Sequence, residues 1–289
     1  PVRRLNHQLK QLCKNNRDGS YGTQVQRERV LTLIANQLHD LGFRRMHAKS
    51  LRPKHVEALV KHWLETKIAV GTIKNRMAAI RWWAAKVNRR NAVARSNDHY
   101  GIPRRQYANS ANRVTALDED KFARVTDQYV RMSLRLQREF GLRREEAIKI
   151  RPVLADKGDI LWLKPSWTKG GRAREIPIRT EAQREILDRA RALAGKGSLI
   201  PAEKDYKQQK NRYEGQCIRA GLSKMHGLRH AYAQRRFEEI AGFPAPLAGG
   251  PKRADLTNDQ RALDKKARAV ITKELGHKRE QITVTYLGR

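Results

Sequence analysis

Apolar residues recur at helical spacing through most of the chain, and the period changes in one region. Leu5, Leu9 and Leu12 mark a short amphipathic helix over 5–14. The turn-rich stretch NNRDGSYGT at 15–23 breaks it. Val25, Val30, Leu31, Leu33, Ile34, Leu38 and Leu41 predict a second helix over 23–41, with Gly42 as its stop. Pro53 suits the first turn of a third helix over 53–66, whose stripe is Val56, Leu59, Val60 and Trp63. A fourth runs from Gly71-Thr72 to about Val87 and turns Ile73, Met77, Ile80 and Trp83/Ala84 to a core. Trp82-Trp83 reads as one core residue beside a half-exposed neighbour; the alternative is a base-stacking platform.

Residues 96–116 lose periodicity and gather Gly, Pro, Asn and Ser, as a linker does. A further helix is predicted over 117–139, followed by GLRREEAIKI at 141–150. DILWLK at 159–164 and RAREIPI at 172–178 are strand-like and joined through PSWTKGG. Helices follow at about 180–194, 203–219 and 226–241, then a Gly/Pro-rich loop at 242–255 and a helix from about 258 to 275. The fold class is mainly α with a small antiparallel sheet. Its parts are a helical domain over 1–95, a basic linker over 96–116 and a second domain over 117–289.

Charge gives this scaffold a partner. The 289 residues hold 62 Lys+Arg against 29 Asp+Glu, a formal net charge of +33. Residues 1–113 carry +18 and residues 114–289 carry +15, so the charge is not a tail. A surface this basic points to a polyanion, and nucleic acid is the first candidate. Lys74, Arg76, Arg81, Arg104 and Arg105 are candidates for phosphate contacts, which position a protein without reading sequence. Cys13 and Cys217 lie far apart, so neither a disulfide framework nor a zinc knuckle is implied. No apolar run nears the length of a membrane span, and PVRRLNHQLK lacks a signal-peptide core. A cytoplasmic, nucleoid-associated protein is expected.

Several short patterns carry candidate chemistry. His226 and Arg229 in MHGLRHAYAQRR lie on one helix face and could meet one phosphate. In GLRREE, Glu146 could orient Arg143, whose fork suits phosphate oxygens. Lys169 in TKGG rides a tight turn between the strands, where it could protonate a departing hydroxyl. Each pattern alone is also what a solvated basic surface shows. Leu-Gly-His at 275–277 precedes Tyr286 by nine residues. One straight helix would put His277 and Tyr286 on opposite faces, so a bend is expected within 278–281 if they share a site.

Taken in order, Arg143, Glu146, Lys169, His226-x-x-Arg229, Leu-Gly-His277 and Tyr286 resemble the tyrosine recombinases, the phage-integrase family. The resemblance runs from about 117 to the end and more loosely into the N-terminal half, where GTIKNRMAAIRWW looks like a core-binding-domain helix. It is also similar to integrases of integrative and conjugative elements or genomic islands. The resemblance implies a core-binding domain and a catalytic domain clamping DNA. Arg143 and Arg229 would grip the scissile phosphate, and His277 would hydrogen-bond it. Lys169 would be the general acid for the 5′-hydroxyl, His226 would assist proton transfer, and Glu146 would support Arg143. Tyr286 would attack phosphorus, giving a 3′-phosphotyrosine. A homotetramer on DNA is implied, a dimer at each site, with accessory bending or directionality factors possible.

The chemistry fits independently. A phenol with a pKa near 10 needs cations and a base around it. Guanidiniums, a lysine and histidines would stabilise charge on a pentavalent phosphorane, and a covalent phosphotyrosine conserves the phosphodiester energy without ATP. No carboxylate cluster suited to Mg²⁺ accompanies these residues, so no metal and no cofactor are expected. The alternatives are a type IB topoisomerase-like relaxing enzyme and a non-catalytic architectural DNA-binding protein. The stretch GFPAPLAGGPKRADLTNDQ makes the run from Arg229 to Leu275 longer than the family usually shows, either as a contact to DNA or a neighbouring subunit or as a passive loop. Many relatives continue past the nucleophile into a helix that docks on the next protomer, whereas here three residues follow Tyr286. Either the sequence is truncated before such a helix or subunit exchange draws on another part of the chain, such as 242–270.

Overall fold

The computed structural model describes residues 4–105 and 111–289, which divide into two compact units meeting at 106/107. In the first unit, α1 (Arg4–Asn15), α2 (Tyr21–Asp40), α3 (Pro53–Glu65) and α4 (Val70–Lys86) surround one core. The predicted stripes supply it: Leu31, Ile34, Leu38, Val56, Leu59, Trp63, Ile73, Met77, Ile80 and Trp83 are all fully buried. Each such side chain contributes roughly 1.5–3 kcal/mol by leaving water. Trp83 also donates from Nε1 to the Ala48 carbonyl at 2.9 Å. Its neighbour Trp82 stays half-buried, under the Arg27 guanidinium at 4.2 Å and bonded to Asp18 at 2.7 Å.

The expected linker begins too early. Residues 96–105 pack with the first unit, where Ile102 is buried in its core and the Tyr100 hydroxyl accepts from the Ala94 amide at 2.9 Å. The part of the linker at 106–110 lies outside the described residues.

The second unit contains α5 (Glu119–Ala123), α6 (Gln128–Phe140), α7 (Arg144–Lys149), α8 (Pro152–Ala155), β1 (Ile160–Leu163), β2 (Arg174–Pro177), α9 (Glu181–Ala194), α10 (Tyr206–Arg219), α11 (Gly227–Ala241), α12 (Asn258–Glu274) and α13 (Glu280–Leu287). The single helix predicted over 117–139 is two. Asp127 interrupts it by accepting from the amides of Tyr129 and Val130 at 3.0 Å, an N-cap for α6. The Arg131 side chain covers the carbonyls of Phe122 and Val125 at the close of α5, both at 3.1 Å.

The strands pair antiparallel, with Ile160 opposite Pro177 and Leu163 opposite Arg174. Leu161, Leu163 and Ile176 face the main core, which α6, α9, α11, α12 and α13 also line. A second cluster gathers Phe122, Val125, Val130, Leu134, Tyr213 and Leu228. Among the described residues, no helix is long and apolar enough to cross a membrane.

Candidate active site

The site is assembled where three helix ends approach α11. Arg143 is the N-cap of α7; its amide donates to Glu146 Oε2 at 2.7 Å and its Nη1 to Oε1 at 2.8 Å. Gly141, in a left-handed conformation at φ +59°, closes α6 just before it. A Cβ there would sit 2.5 Å from the Tyr232 ring, so only glycine lets the chain turn this tightly against α11.

His226 and Arg229 open α11. Arg229 is fully buried and donates to the carbonyls of Gly141 and Leu275. α12 ends at Glu274, Gly276 follows at φ +64°, and α13 restarts at Glu280. The break lies at 275–279, earlier than the expected 278–281, and it places His277 and Tyr286 on one site. Their rings lie 5.3 Å apart, and His277 Nδ1 meets the Thr283 hydroxyl at 3.0 Å.

Tyr286 is buried, with its hydroxyl 3.3 Å from His226 Nε2 and 3.4 Å from Arg229 Nε, which donates to it. Five of the six candidates, Arg143, His226, Arg229, His277 and Tyr286, therefore share one pocket, with Glu146 behind Arg143. Among the described residues, no hydrogen bond or ion pair ties Lys169 to it. The turn that carries Lys169 has Gly170 and Gly171 at positive φ. The Thr168 hydroxyl closes it by donating to the Arg172 carbonyl at 2.6 Å and accepting from the Arg172 amide at 3.0 Å. Lys169 stands exposed on that turn.

Burial and like charge set the protonation states. Burial first, then the Arg229 and Arg143 guanidiniums, pushes His226 below its ordinary value. The same causes bring His277 down to about 3. Burial lowers Arg229 to about 10, with Arg174 and Arg143 adding to the effect. Burial works to raise Glu146, but Arg174, Arg229 and Arg143 together hold it down at about 2. The pocket thus holds neutral imidazoles beside cationic arginines and one carboxylate. Such a site accepts an anion and keeps an imidazole able to take a phenol proton.

Three participants escaped the sequence reading. Arg174 is buried on β2 and its guanidinium forks onto Glu146, Nη2 to Oε2 at 2.6 Å and Nη1 to Oε1 at 3.1 Å. Its signal was present: Arg174 is in phase with the core-facing Ile176, and a charge in a buried slot needs a partner. His230, one turn beyond His226, packs its ring 4.3 Å from that of Tyr286. Burial, then His226, brings it down to about 4. The Leu275 carbonyl accepts from Arg143 (3.3 Å), Arg174 (3.1 Å) and Arg229, which no side-chain pattern could reveal. Among the described residues, no group of three or more His, Cys, Asp or Glu could hold a metal ion.

The basic residues expected on DNA divide. Arg81 donates to the Ala94 carbonyl at 3.2 Å and to Asn97 at 2.8 Å, so it buttresses its own unit. Arg76 lies half-buried, 5.2 Å from the Trp63 ring. Lys74 is half-buried, and Arg104 and Arg105 are exposed beside the start of α4.

Two family models match the sequence: phage integrase, N-terminal, over residues 2–93, and integrase over residues 104–235. The chain belongs to the phage-integrase family, the tyrosine recombinases. No protein of curated function matches it in sequence. Its fold is shared with a lambda integrase dimer bound to a COC′ core site (TM-score 0.62, 14% identity, 99% of this chain and 78% of that one). It is also similar to the Tn1549 transposon integrase in complex with circular intermediate DNA (0.55, 13%, 99% and 95%). A third is the XerH site-specific recombinase bound to palindromic difH substrate (0.59, 15%, 98% and 81%). The integrase is thus a site-specific recombinase by family, built on a fold these relatives share.

Proposed function

We propose that this integrase cuts and rejoins double-stranded DNA through Tyr286 and does so to move a mobile genetic element. One observation carries the reading: the Tyr286 hydroxyl lies against His226 and Arg229 in a pocket of arginines that has one carboxylate. Arg143 and Arg229 grip the scissile phosphate, and His277 donates to it. Neutral His226 takes the phenol proton as Tyr286 oxygen bonds to phosphorus. The bond from phosphorus to the 5′-oxygen breaks, and Lys169 protonates that oxygen once the turn that carries it meets DNA. Glu146 fixes Arg143 and stays ionised. The DNA contacts fall to Lys74, Arg104 and Arg105, joined by exposed basic residues of the second unit. Helical residues up to 105 make the core-binding domain and those from 111 the catalytic domain. The solved lambda integrase dimer on a core site and tetramer on a Holliday junction support a tetramer here, with a dimer at each site. The reaction is placed at DNA in the cytoplasm, with accessory bending or directionality factors setting its direction.

A nicked suicide substrate tests the nucleophile. Wild-type protein should accumulate a covalent protein–DNA adduct, and Tyr286→Phe should give none. Adducts persisting in that variant would overturn the assignment. Recombination between two defined sites, against mere relaxation of supercoils, separates a recombinase from a topoisomerase-like enzyme.

A further inference from the structure

We propose that Arg174 is a positioning residue that sets the Lys169 turn in register with the phosphate-gripping arginines; this deepens the proposed function and rests on it. Arg174 opens β2, five residues beyond Lys169, and pairs with Leu163. The Thr168–Arg172 hydrogen bonds close the intervening turn, so the placement of Lys169 is tied to the position of β2. The Arg174 side chain ties β2 directly to the arginine pocket. Its Nη1 and Nη2 take both oxygens of Glu146, and Nη1 also takes the Leu275 carbonyl. Arg143 uses the same acceptors: Glu146 Oε1 at 2.8 Å and the Leu275 carbonyl at 3.3 Å. Arg229 shares that carbonyl.

Buried Arg174 therefore ties the strand that leaves the Lys169 turn to two pieces that Arg143 already links, the Arg143–Glu146 cap and the Leu-Gly-His turn. Gly276 packs directly on it, since a Cβ there would lie 3.1 Å from Arg174 Cδ. Arg174 is 7% exposed, so it acts through its neighbours rather than on DNA. A planar fork holding two carboxylate oxygens and a carbonyl cannot be reproduced by the single ammonium of lysine.

The test uses Arg174→Lys and Arg174→Gln in the full chain, on suicide substrates with either an ordinary 5′-oxygen or a bridging 5′-sulfur at the scissile bond. A thiolate leaves without protonation, so sulfur bypasses the general acid. On the oxygen substrate, cleavage should fall about 100-fold in both variants, the cost of misplacing a group by about 1 Å. Binding to the uncut site should stay within about twofold, because it is spread over many phosphates. Sulfur should restore cleavage to within about tenfold of wild type, and amide hydrogen exchange across 164–173 should quicken in Arg174→Lys. Wild-type cleavage of the oxygen substrate, an equal loss on both substrates, or unchanged exchange would each overturn the proposal. Lys169→Ala runs beside them. Failure of sulfur to rescue that variant would instead remove Lys169 as the acid, whereas the exchange arm judges Arg174 whichever residue protonates the leaving oxygen.

Discussion

Glu146 is the single carboxylate among three guanidiniums, and its removal should show how far the pocket depends on it. It is fully buried and bonded to both Arg143 and Arg174. Breaking a buried pair by removing one partner strands the other charge, at a cost of about 3–5 kcal/mol. Glu146→Gln should therefore lower the unfolding free energy by that amount and abolish cleavage, as read by urea unfolding and adduct yield. Arg229→Lys keeps a charge but cannot reach Gly141, Leu275 and Tyr286 together. It should lose about 100-fold or more in adduct formation, as removal of a donor to a developing oxyanion does, with DNA binding in a mobility shift largely kept.

The decisive element is the short irregular run between α12 and α13. Nine residues along one helix would have separated His277 from Tyr286, and the break at 275–279 brings their rings together. Gly276 makes that break possible at φ +64° while packed against Arg174. Gly276→Ala should therefore destabilise the protein by about 1–3 kcal/mol and slow adduct formation more than it weakens DNA binding; a melting curve and a cleavage assay read the two effects. The loop at 242–257, left open by its composition, has a structural use: the 246–248 turn packs on α13, with Gly288 against Leu247 and Pro246. Arg268, paired with Asp264, bonds the Gly288 carbonyl at 2.8 Å.

At the scale of the molecule, the buried histidines make stability depend on pH. The folded second unit holds His230 at about 4 and His277 at about 3, against 6.5 ordinarily, with His226 lowered as well. Below about 6.5 the unfolded chain binds protons that the folded one refuses, so stability should fall as pH drops from 6.5 towards 4. Glu146, held at about 2 against 4.5, adds stability that is present above 4.5 and lost as pH falls from there towards 2. Both effects have the same sign. Urea midpoints should decline steadily from pH 7 to pH 4, and a flat profile would contradict the neutral-histidine pocket. The net charge of +33 sets a further expectation: DNA affinity should fall steeply with salt, as a log–log titration measures.

What the sequence determined by itself was whatever periodicity and local chemistry encode. The four helices of the first unit, Pro53 at a helix start, the strand pair around TKGG and the need for a bend after His277 are local facts, because helix and strand register are set by neighbours a few residues away. The order of the catalytic patterns was equally legible, as it is written in residue types. Tertiary structure decided the rest. The helix over 117–139 is split by an Asp127 cap whose carboxylate also holds Arg212 from α10. Arg81 turned inward to a carbonyl thirteen residues away, and Ile102 drew the expected linker into a core. Arg174 entered the site because a strand slot facing the core can admit a charge only where Glu146 and the Leu275 carbonyl, 28 and 101 residues distant, converge to meet it.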